Sequence, residues 1–512
     1  MTNVEDLTPK KLNLKSRLSF LFKDSLLYGG AGALNRLMSF ILFPVLAHHF
    51  NPAEYGVLDF FMVLAAFLGL LIIFGQDSSL ARFFYEKEEK RYRQEIVSQS
   101  LVIQIAITII VIPVLWILGE IISNVLIQSE NTILLFRLIL LQAPFLFLVS
   151  FSQNLLKWSF KRKEFLIISI GSVFSTVFII LIGIFNYEFR IVEIFYVGIV
   201  VNCCFGIAGI FLVKEWLIVP RKFEYIKVLT KFAIPLGIVC IAGAFIPLLE
   251  RGLIDKLLAT VDVGIYAAAN KIALQLVLVI AAFQTAWGPF SYSLYKSKNA
   301  IETYNEVLKG YTLFVLLMVL LISAMGFPLL ALLADESFSV GAIVIFPIAL
   351  GLAIESIGFI TELGISIAKR SYLQMYVFMG YLLLTLCLIL LLTPPLGLLG
   401  VALSVCFGKI FKAILAGWFA QKYCRMRWQY GSIFISTCLV LISGMLATYF
   451  GWIFGLVLGS ILFGILFFMM SFILPLILYG RSRVKSFFST FSVNRFFLVF
   501  INKLEDPNKG GD

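Results

Sequence analysis

Long apolar stretches alternate with short polar connections along most of the chain. A helix rises 1.5 Å per residue, so roughly 20 apolar residues cross about 30 Å of hydrocarbon. By this measure the pattern predicts fourteen membrane-spanning helices, numbered here spans 1 to 14: 25–49, 55–77, 98–118, 132–156, 165–185, 191–213, 231–257, 264–289, 310–333, 341–366, 371–393, 397–419, 430–449 and 452–479. Almost no turn separates the last two, so a single long span is the alternative there.

Composition supports an all-α polytopic membrane protein. Hydrophobic residues make up 61% of the 512 residues and charged residues only 14%, against about a quarter charged in soluble domains. The seven cysteines form no CxxC pair, and the two histidines, His48 and His49, have no ligand pattern around them. We therefore expect buried, reduced thiols, no metal and no cofactor.

Basic residues separate the two faces of the membrane. Of the 41 lysines and arginines, 33 fall on alternate connections and the termini, and only Arg190, Arg251 and Lys256 fall on the other side. The positive-inside rule then predicts that both termini are cytoplasmic. Because the net charge of +12 is dispersed in this way, it does not indicate a nucleic-acid partner. The polar start lacks a small-residue cleavage site, so span 1 is expected to be an uncleaved anchor.

An internal repeat divides the chain. Glu54-Tyr-Gly56-Val matches Asp262-Val-Gly264-Ile at a constant offset, each at an outward turn that opens a helix. We expect Asp262 and Gly264 to serve the turn and helix start. The repeat predicts the following segments: a cytoplasmic segment 1–24, an N-lobe 25–213, a linker 214–230, a C-lobe 231–419, an extra helix pair 430–479 and a basic tail 480–512.

Equivalent spans of the two lobes carry helix-disturbing residues. Span 1 contains Gly29, Gly30 and Pro44, and span 7 contains Pro235 and Pro247. Parallel repeats with glycine- and proline-interrupted helices in corresponding places are typical of transporters. We expect these five residues to act as hinges or gates between the lobes.

Three stretches carry a family resemblance: "LNRLMSFILFPVLAHHFNPAEYGVLDFF", "GQDSSLARFFYE" and "LLERGLIDKLLATVDVGIYAAANKIA". They resemble the polysaccharide-transporter branch of the multidrug/oligosaccharidyl-lipid/polysaccharide flippase superfamily over about residues 25–430. The resemblance implies a V-shaped pair of six-helix lobes around a central cavity, in a monomer of the bacterial inner membrane. The implied cargo is an oligosaccharide on a polyprenyl diphosphate, and association with polysaccharide polymerase machinery would follow.

Charges inside the spans are functional candidates because burying them in lipid costs about 2.5 kcal/mol or more. Guanidinium and ammonium groups facing a cavity could hold a diphosphate. The predicted cavity set is Arg36, Asn35, Arg251, Asn270, Lys271 and Lys409. Packing roles are the alternative: Arg251 could pair with Asp255, while Arg137 and Lys412 could extend towards the membrane surface.

Two acids of span 10, Glu355 and Glu362, lie seven residues apart on one helix face. The chain has no GxxxxGK[ST] motif, so the expected driving force is an ion gradient, H⁺ or Na⁺, with the membrane potential and downstream consumption of the cargo as alternatives. Glu355 is the first candidate for coupling, and a salt bridge to Lys409 or Lys412 is the equal alternative.

The predicted function is ion-coupled flipping of a lipid-linked oligosaccharide by alternating access, without enzymatic activity. A membrane polymerase or ligase acting on the same lipid is the alternative from another class, but its chemistry usually needs sizeable outward loops. Outward connections such as "NPAEY" and "TPPLG" are short. A drug or ion exporter of the same superfamily and an uncoupled scramblase remain further alternatives.

Overall fold

A computed structural model describes residues 14–123, 127, 129–220, 222–295, 299–368, 370 and 372–490. Parts of the predicted cytoplasmic segment 1–24 and basic tail 480–512 lie outside these residues. The described residues form helices and connections and contain no strand. Thirteen helices are long and apolar enough to span a membrane, and a bent pair of helices supplies a fourteenth span.

The observed helices follow the predicted spans. In chain order the spans comprise Leu14–His49, Pro52–Ile73, Lys90–Ile117, Thr132–Trp158, Arg162–Tyr187, Ile191–Val213, Ile226–Leu257, Thr260–Ala273 with Leu276–Leu294, Ala300–Leu333, Ala342–Thr361, Tyr372–Leu396, Leu398–Tyr423, Tyr430–Phe454 and Leu456–Thr490. Additional short helices include Gln76–Phe84 after span 2 and Leu363–Ile367 after span 10.

Spans 13 and 14 are two helices. Gly455 separates them with φ at 113°, a backbone conformation that glycine adopts without a Cβ clash. Beside this turn Gly451 and Gly459 are so close that a Cβ on Gly451 would lie 2.9 Å from the Cα of Gly459. Both helices pack against the C-lobe, mainly through span 14 on span 9.

The interrupted span is not where the sequence predicted it. The helices of spans 1 and 7 continue through Pro44 and through Pro235 and Pro247. Span 8 is broken instead, with a bend of 45° between Ala273 and Leu276. No glycine or proline marks this break, so the search for helix-disturbing residues missed it. Hinge roles for the residues of spans 1 and 7 stay predictions.

The same helix pairs pack in both halves of the chain. Span 1 packs on span 5 and span 7 on span 11; span 4 packs on span 6 and span 10 on span 12. Span 2 packs on span 4 as the first helix of span 8 packs on span 10. Contacts between the halves come chiefly from span 2 against span 7 and against that first helix of span 8.

Glycines of the sequence repeat meet at the predicted outward end. Asn51 caps span 2 through a reciprocal pair of hydrogen bonds with Glu54, the capping arrangement that fixes a helix start. A Cβ on Gly56 would lie 2.6 Å from the carbonyl oxygen of Thr260 and 2.8 Å from the amide nitrogen of Gly264. Gly264 is thus more than a helix-start residue, because its lack of a side chain lets spans 2 and 8 touch.

A second glycine contact lies at the predicted cytoplasmic end. Gly75, with φ at 70°, precedes the helix Gln76–Phe84. A Cβ there would lie 2.6 Å from the carbonyl oxygen of Ala233 and 2.6 Å from the amide nitrogen of Gly237 in span 7. Ser79 adds a hydrogen bond of 3.0 Å to the carbonyl oxygen of Leu229. The two halves therefore touch at both ends of the bundle.

The glycine contact at the predicted outward end gives the first prediction. Gly264→Ala should lower the free energy of unfolding by about 1–3 kcal/mol, because the added methyl group meets the backbone of span 2. Gly30→Ala is the matched control, since nothing lies within 4 Å of a Cβ at Gly30. Alanine there should be neutral or stabilise the helix by up to about 1 kcal/mol. Unfolding in detergent measures both, and equal effects would contradict the contact.

Candidate functional site

A charged cavity of about 470 Å³ lies between the two halves. Span 2 contributes one wall, and spans 7, 8, 10, 11 and 12 contribute the others. We name it the central cavity. Its polar and aromatic lining residues are Asp59, Glu250, Arg251, Tyr266, Asn270, Lys271, Glu355, Phe378, Tyr381, Lys409 and Lys412. Four of the six predicted cavity residues are thereby brought together: Arg251, Asn270, Lys271 and Lys409.

A buried ion cluster connects the halves at this cavity. Nε of Arg251 in span 7 donates to Oδ2 of Asp59 in span 2 at 3.1 Å, and Nη1 donates to Oε2 of Glu250 at 3.0 Å. The hydroxyl of Tyr266 donates to the same Glu250 oxygen at 3.2 Å. Arg251 is only 4% exposed, so the two carboxylates compensate a guanidinium that would otherwise be very costly in this surrounding.

The partners of Arg251 are not the one considered from sequence, Asp255. Asp255, one turn away, accepts a hydrogen bond of 2.6 Å from the hydroxyl of Thr260. Arg251 points instead to span 2 because Asp59 supplies a charge at the inter-half surface, whereas the hydroxyl of Thr260 already occupies Asp255.

Glu355 is held by two lysines of span 12. Nζ of Lys409 lies 2.5 Å from Oε2 of Glu355, and Lys412 contacts the other carboxylate oxygen. Lys412 also lies over the ring of Phe378, 4.0 Å from its centroid. The salt bridge considered as the alternative for Glu355 is therefore present with both lysines, and Lys412 does not extend to the membrane surface.

Lys271 is the cavity cation without a carboxylate partner among the described residues. It lies eleven residues after Thr260, about 16 Å along the helix, next to Asn270 and just before the break in span 8. The side chain of Gln275 donates to the carbonyl oxygen of Lys271 at 2.9 Å, which satisfies a backbone group freed by the break. An unpaired ammonium beside a free amide is suited to bind an anion.

The remaining two predicted cavity residues do not line the central cavity. Nδ2 of Asn35 donates to the hydroxyl of Ser169 in span 5 at 3.0 Å. Arg36 is exposed and donates to the carbonyl oxygen of Val277 at 3.4 Å, just beyond the break in span 8. Arg36 thus joins span 1 to the second helix of span 8 rather than facing Lys271.

A second cavity of about 360 Å³ lies within the predicted C-lobe and shares Glu355, Phe378 and Lys412 with the central cavity. We name it the side cavity. The remaining polar residues that line it are Gln284, Ser356, Glu362 and Gln374. The two predicted coupling acids, Glu355 and Glu362, therefore face the same space. Only Glu355 has an ion-pair partner in the described part of the chain.

Sequence reasoning missed Asp59, Tyr266 and the two glutamines of the side cavity. Asp59 was detectable from sequence, since it lies seven residues after Pro52 in the apolar stretch "PAEYGVLDFFMVLAAF". A charged residue inside a span is a functional candidate, and the same criterion had selected Arg36. Gln284 and Gln374 carry no charge and lie far apart in sequence. No pattern signals that such residues face one cavity.

The family model for "Polysaccharide biosynthesis protein" matches residues 21–295, more than half of the chain. The chain belongs to this polysaccharide biosynthesis family. The match ends at the second helix of span 8 and so includes the inter-half ion cluster and Lys271. No curated protein sequence matches the chain.

Solved structures share the fold of this family member. The lipid II flippase MurJ in an inward closed conformation superposes with a TM-score of 0.67 at 16% identity, covering 88% of this chain and 99% of that one. An inward-facing multidrug resistance MATE family transporter of the MOP superfamily gives a TM-score of 0.61 at 13% identity, covering 76% and 94%. An outward-facing MATE transporter gives 0.57 at 14%, covering 78% and 94%.

The family match and the shared fold confirm the resemblance and the all-α polytopic fold class expected from sequence. The family member is a multi-pass membrane protein with the fold of flippases and exporters. Its cargo and its energy source have to be inferred from the residues that line its cavities.

The ion cluster gives the second prediction. Arg251→Leu should lower the free energy of unfolding by about 3–5 kcal/mol, because Asp59 and Glu250 lose their buried counter-charge. Asp59→Leu added to it should recover part of that loss by removing one unpaired carboxylate. Unfolding in detergent measures both variants.

Lys256→Leu is the matched control, because this lysine lies in the same helix and is exposed. Its effect should stay within about 0.5 kcal/mol. A double variant less stable than Arg251→Leu alone would contradict the pairing of Arg251 with Asp59.

Proposed function

We propose that this protein is a flippase that moves a polyprenyl-diphosphate-linked oligosaccharide from the cytoplasmic to the outer leaflet of the bacterial inner membrane. The observation that carries the proposal is Lys271, a cation with no carboxylate partner among the described residues, which lies beside Asn270 in a cavity between two halves of a polysaccharide biosynthesis family member. Lys271 and Asn270 would bind the diphosphate, while the polyprenyl chain stays in the surrounding lipid.

The inter-half contacts supply two sets of gates. At the predicted outward end, Arg251–Asp59 and the Gly56–Gly264 contact hold spans 2, 7 and 8 together. At the predicted cytoplasmic end, the contact of Gly75 with span 7 does so. Breaking one set while keeping the other gives alternating access with small, bistable rearrangements. Arg36, bonded across the halves to span 8, belongs to the cytoplasmic set in this proposal.

Alternation fits the energetics of the ion cluster. An anionic diphosphate in the central cavity competes with Asp59 and Glu250 for the available cations, so its arrival weakens the tie between spans 2 and 7. Lys409 is a further cation available to the diphosphate, because Glu355 is contacted by two lysines and keeps Lys412 when Lys409 leaves it. The diphosphate therefore interacts differently with the open and closed states, as any ligand that drives a transition must.

Energy coupling is assigned to Glu362. Glu355 compensates two half-buried lysines, Lys409 and Lys412, so its protonation would leave both without a counter-ion. Glu362 has no ion-pair partner among the described residues and can exchange a proton through the side cavity at lower cost. We therefore propose that H⁺ coupling occurs through Glu362. Glu355 then transmits the charge state of Glu362 to Lys412 and Lys409.

Both termini are proposed to be cytoplasmic, as the distribution of basic residues indicates. An enzymatic role receives no support, because the proposed outward connections are too short to hold a catalytic site of their own. The proposed protein works as a monomer and passes its cargo to the polysaccharide polymerase machinery. Deletion of the gene distinguishes this flippase from an exporter of free small molecules.

Deletion of the gene in the native bacterium, followed by complementation, tests the proposal. Lipid-linked oligosaccharide should accumulate on the cytoplasmic leaflet of the deletion strain, and the wild-type gene should clear it. Lys271→Ala should flip about 10-fold slower or worse, because a charge-assisted hydrogen bond to the cargo is lost. Lys271→Arg should retain most of the activity, since it keeps the positive charge.

Arg137→Ala is the matched control in that experiment. Arg137 is also an in-span cation, but it lies over the ring of Trp116, 5.4 Å from its centroid, and does not line the central cavity. Flipping by this variant should equal wild type. Unpolymerised oligosaccharide on the outer leaflet of the deletion strain would point to a polymerase or ligase and would refute flipping.

Glu362→Gln tests the coupling assignment in proteoliposomes that contain fluorescent lipid-linked cargo. An imposed pH gradient should accelerate wild type severalfold and leave Glu362→Gln unaffected, because the amide cannot exchange a proton. The basal rate without a gradient should be similar in both. Acceleration by a sodium gradient, or a full pH response in Glu362→Gln, would contradict proton coupling at this residue.

A further inference from the structure

Two amide side chains face the side cavity from different helices. Gln284 lies on the second helix of span 8, and Gln374 lies in the first turn of span 11. Neither has a hydrogen-bond partner among the described residues. Together with Glu362 they present three polar groups to a cavity of about 360 Å³.

Both glutamines are half-buried, and their amide atoms are not among the fully buried polar atoms that lack a partner, so they remain accessible from the side cavity. An amide that leaves water without gaining a hydrogen bond costs roughly 1–3 kcal/mol on mutational scales. Most amides in helices that cross a membrane therefore bond to a neighbouring backbone, as Asn202 does with the carbonyl oxygen of Gly198 at 2.7 Å. Gln284 and Gln374 instead keep their donors and acceptors directed at the cavity, where a polar ligand could use them.

The chemistry of the lining selects a neutral, hydroxyl-rich ligand. Each amide offers both donors and an acceptor, and Glu362 adds acceptors, so the set matches hydroxyl groups that donate and accept. The rings of Phe359 and Phe378 supply apolar faces. The lining carries one lysine, Lys412, against two carboxylates, Glu355 and Glu362, and Lys412 already contacts Glu355, so the side cavity has no excess positive charge for a phosphate.

We propose that the side cavity is a carbohydrate subsite, in which Gln284 and Gln374 bind a sugar unit of the cargo. The inference rests on the proposed flippase function and adds to it a separate site for the sugar. Lys271 and Gln284 lie thirteen residues apart on span 8, roughly 20 Å along the helix direction. The diphosphate and the bound sugar are thus held at separate points, which selects a headgroup of several sugar units.

The position of the subsite also gives an order of events. Gln374 and Glu362 lie at the predicted cytoplasmic ends of their spans, whereas Lys271 lies near the middle. The sugar therefore contacts the protein at the cytoplasmic side, and bound sugar lies against Glu362. Occupancy of the subsite shields this carboxylate from water, which links cargo binding to the proposed proton site.

Binding to the full-length protein in lipid nanodiscs tests the subsite with two separate probes. One probe is the free oligosaccharide released by mild acid from the native lipid-linked material; the other is undecaprenyl diphosphate without sugar. The double variant Gln284→Leu/Gln374→Leu should bind the oligosaccharide about 10-fold more weakly, since two hydrogen bonds are lost. Its affinity for undecaprenyl diphosphate should stay within twofold of wild type. Lys271→Ala should show the reverse pattern.

Gln142→Leu is the matched control, because Gln142 also lies in a span but not on the side cavity, and it should bind both probes as wild type does. Unchanged oligosaccharide binding in the double variant overturns the subsite, and so does an equal loss for both probes. Loss of ²²Na⁺ binding in the double variant with normal oligosaccharide binding replaces the subsite with a cation site.

The same measurements separate this inference from the proposed function. Wild-type protein that binds undecaprenyl diphosphate but no oligosaccharide overturns the subsite and leaves the flippase proposal intact. Wild-type protein that binds oligosaccharide through the glutamines but no undecaprenyl diphosphate supports the subsite and overturns the diphosphate site at Lys271. Binding of neither probe overturns both.

Discussion

The pairing of buried charges is the constraint on which the rest of this structure depends. Ions within a membrane-spanning bundle are costly unless a counter-charge lies beside them. Arg251 can therefore occupy its place in span 7 only because Asp59 of span 2 and Glu250 lie within hydrogen-bond distance. Glu355 in the same way holds Lys409 and Lys412. The first of these clusters joins the two halves, and the second joins spans 10 and 12 within one half.

A glycine contact lies close to the ion pair that joins the halves, Arg251 with Asp59. Spans 2 and 8 approach each other at Gly56 and Gly264, where any side chain would separate the helices. That approach brings Asp59 to the surface that span 7 presents. The same two glycines are related by the sequence repeat, so one contact is made by equivalent residues of both halves.

Along the membrane direction the polar groups form a graded series. The tied cluster of Arg251 lies nearest the proposed outer face, Lys271 and Lys409 lie near the middle, and Glu362 with the two glutamines lies nearest the proposed cytoplasm. Tied groups suit gates, because they must separate for the cavity to open. Untied groups suit ligands, because their hydrogen-bonding capacity is unused. This distinction, and not charge alone, separates the proposed binding residues from the structural ones.

The sequence by itself determined the spans, their number and the fold class, because each span is a continuous run of about 20 apolar residues. It also indicated Arg251, Asn270, Lys271, Lys409, Glu355 and Glu362 as candidates, since a charged or amide residue stands out in an apolar helix. Only the tertiary structure decided which of these are paired. Asp59 and Arg251 lie 192 residues apart, Arg36 turned out to reach Val277, and the break in span 8 has no glycine or proline to announce it. Hydrophobicity is a property of each segment, whereas pairing depends on which helix faces meet, and packing of the whole bundle sets those faces.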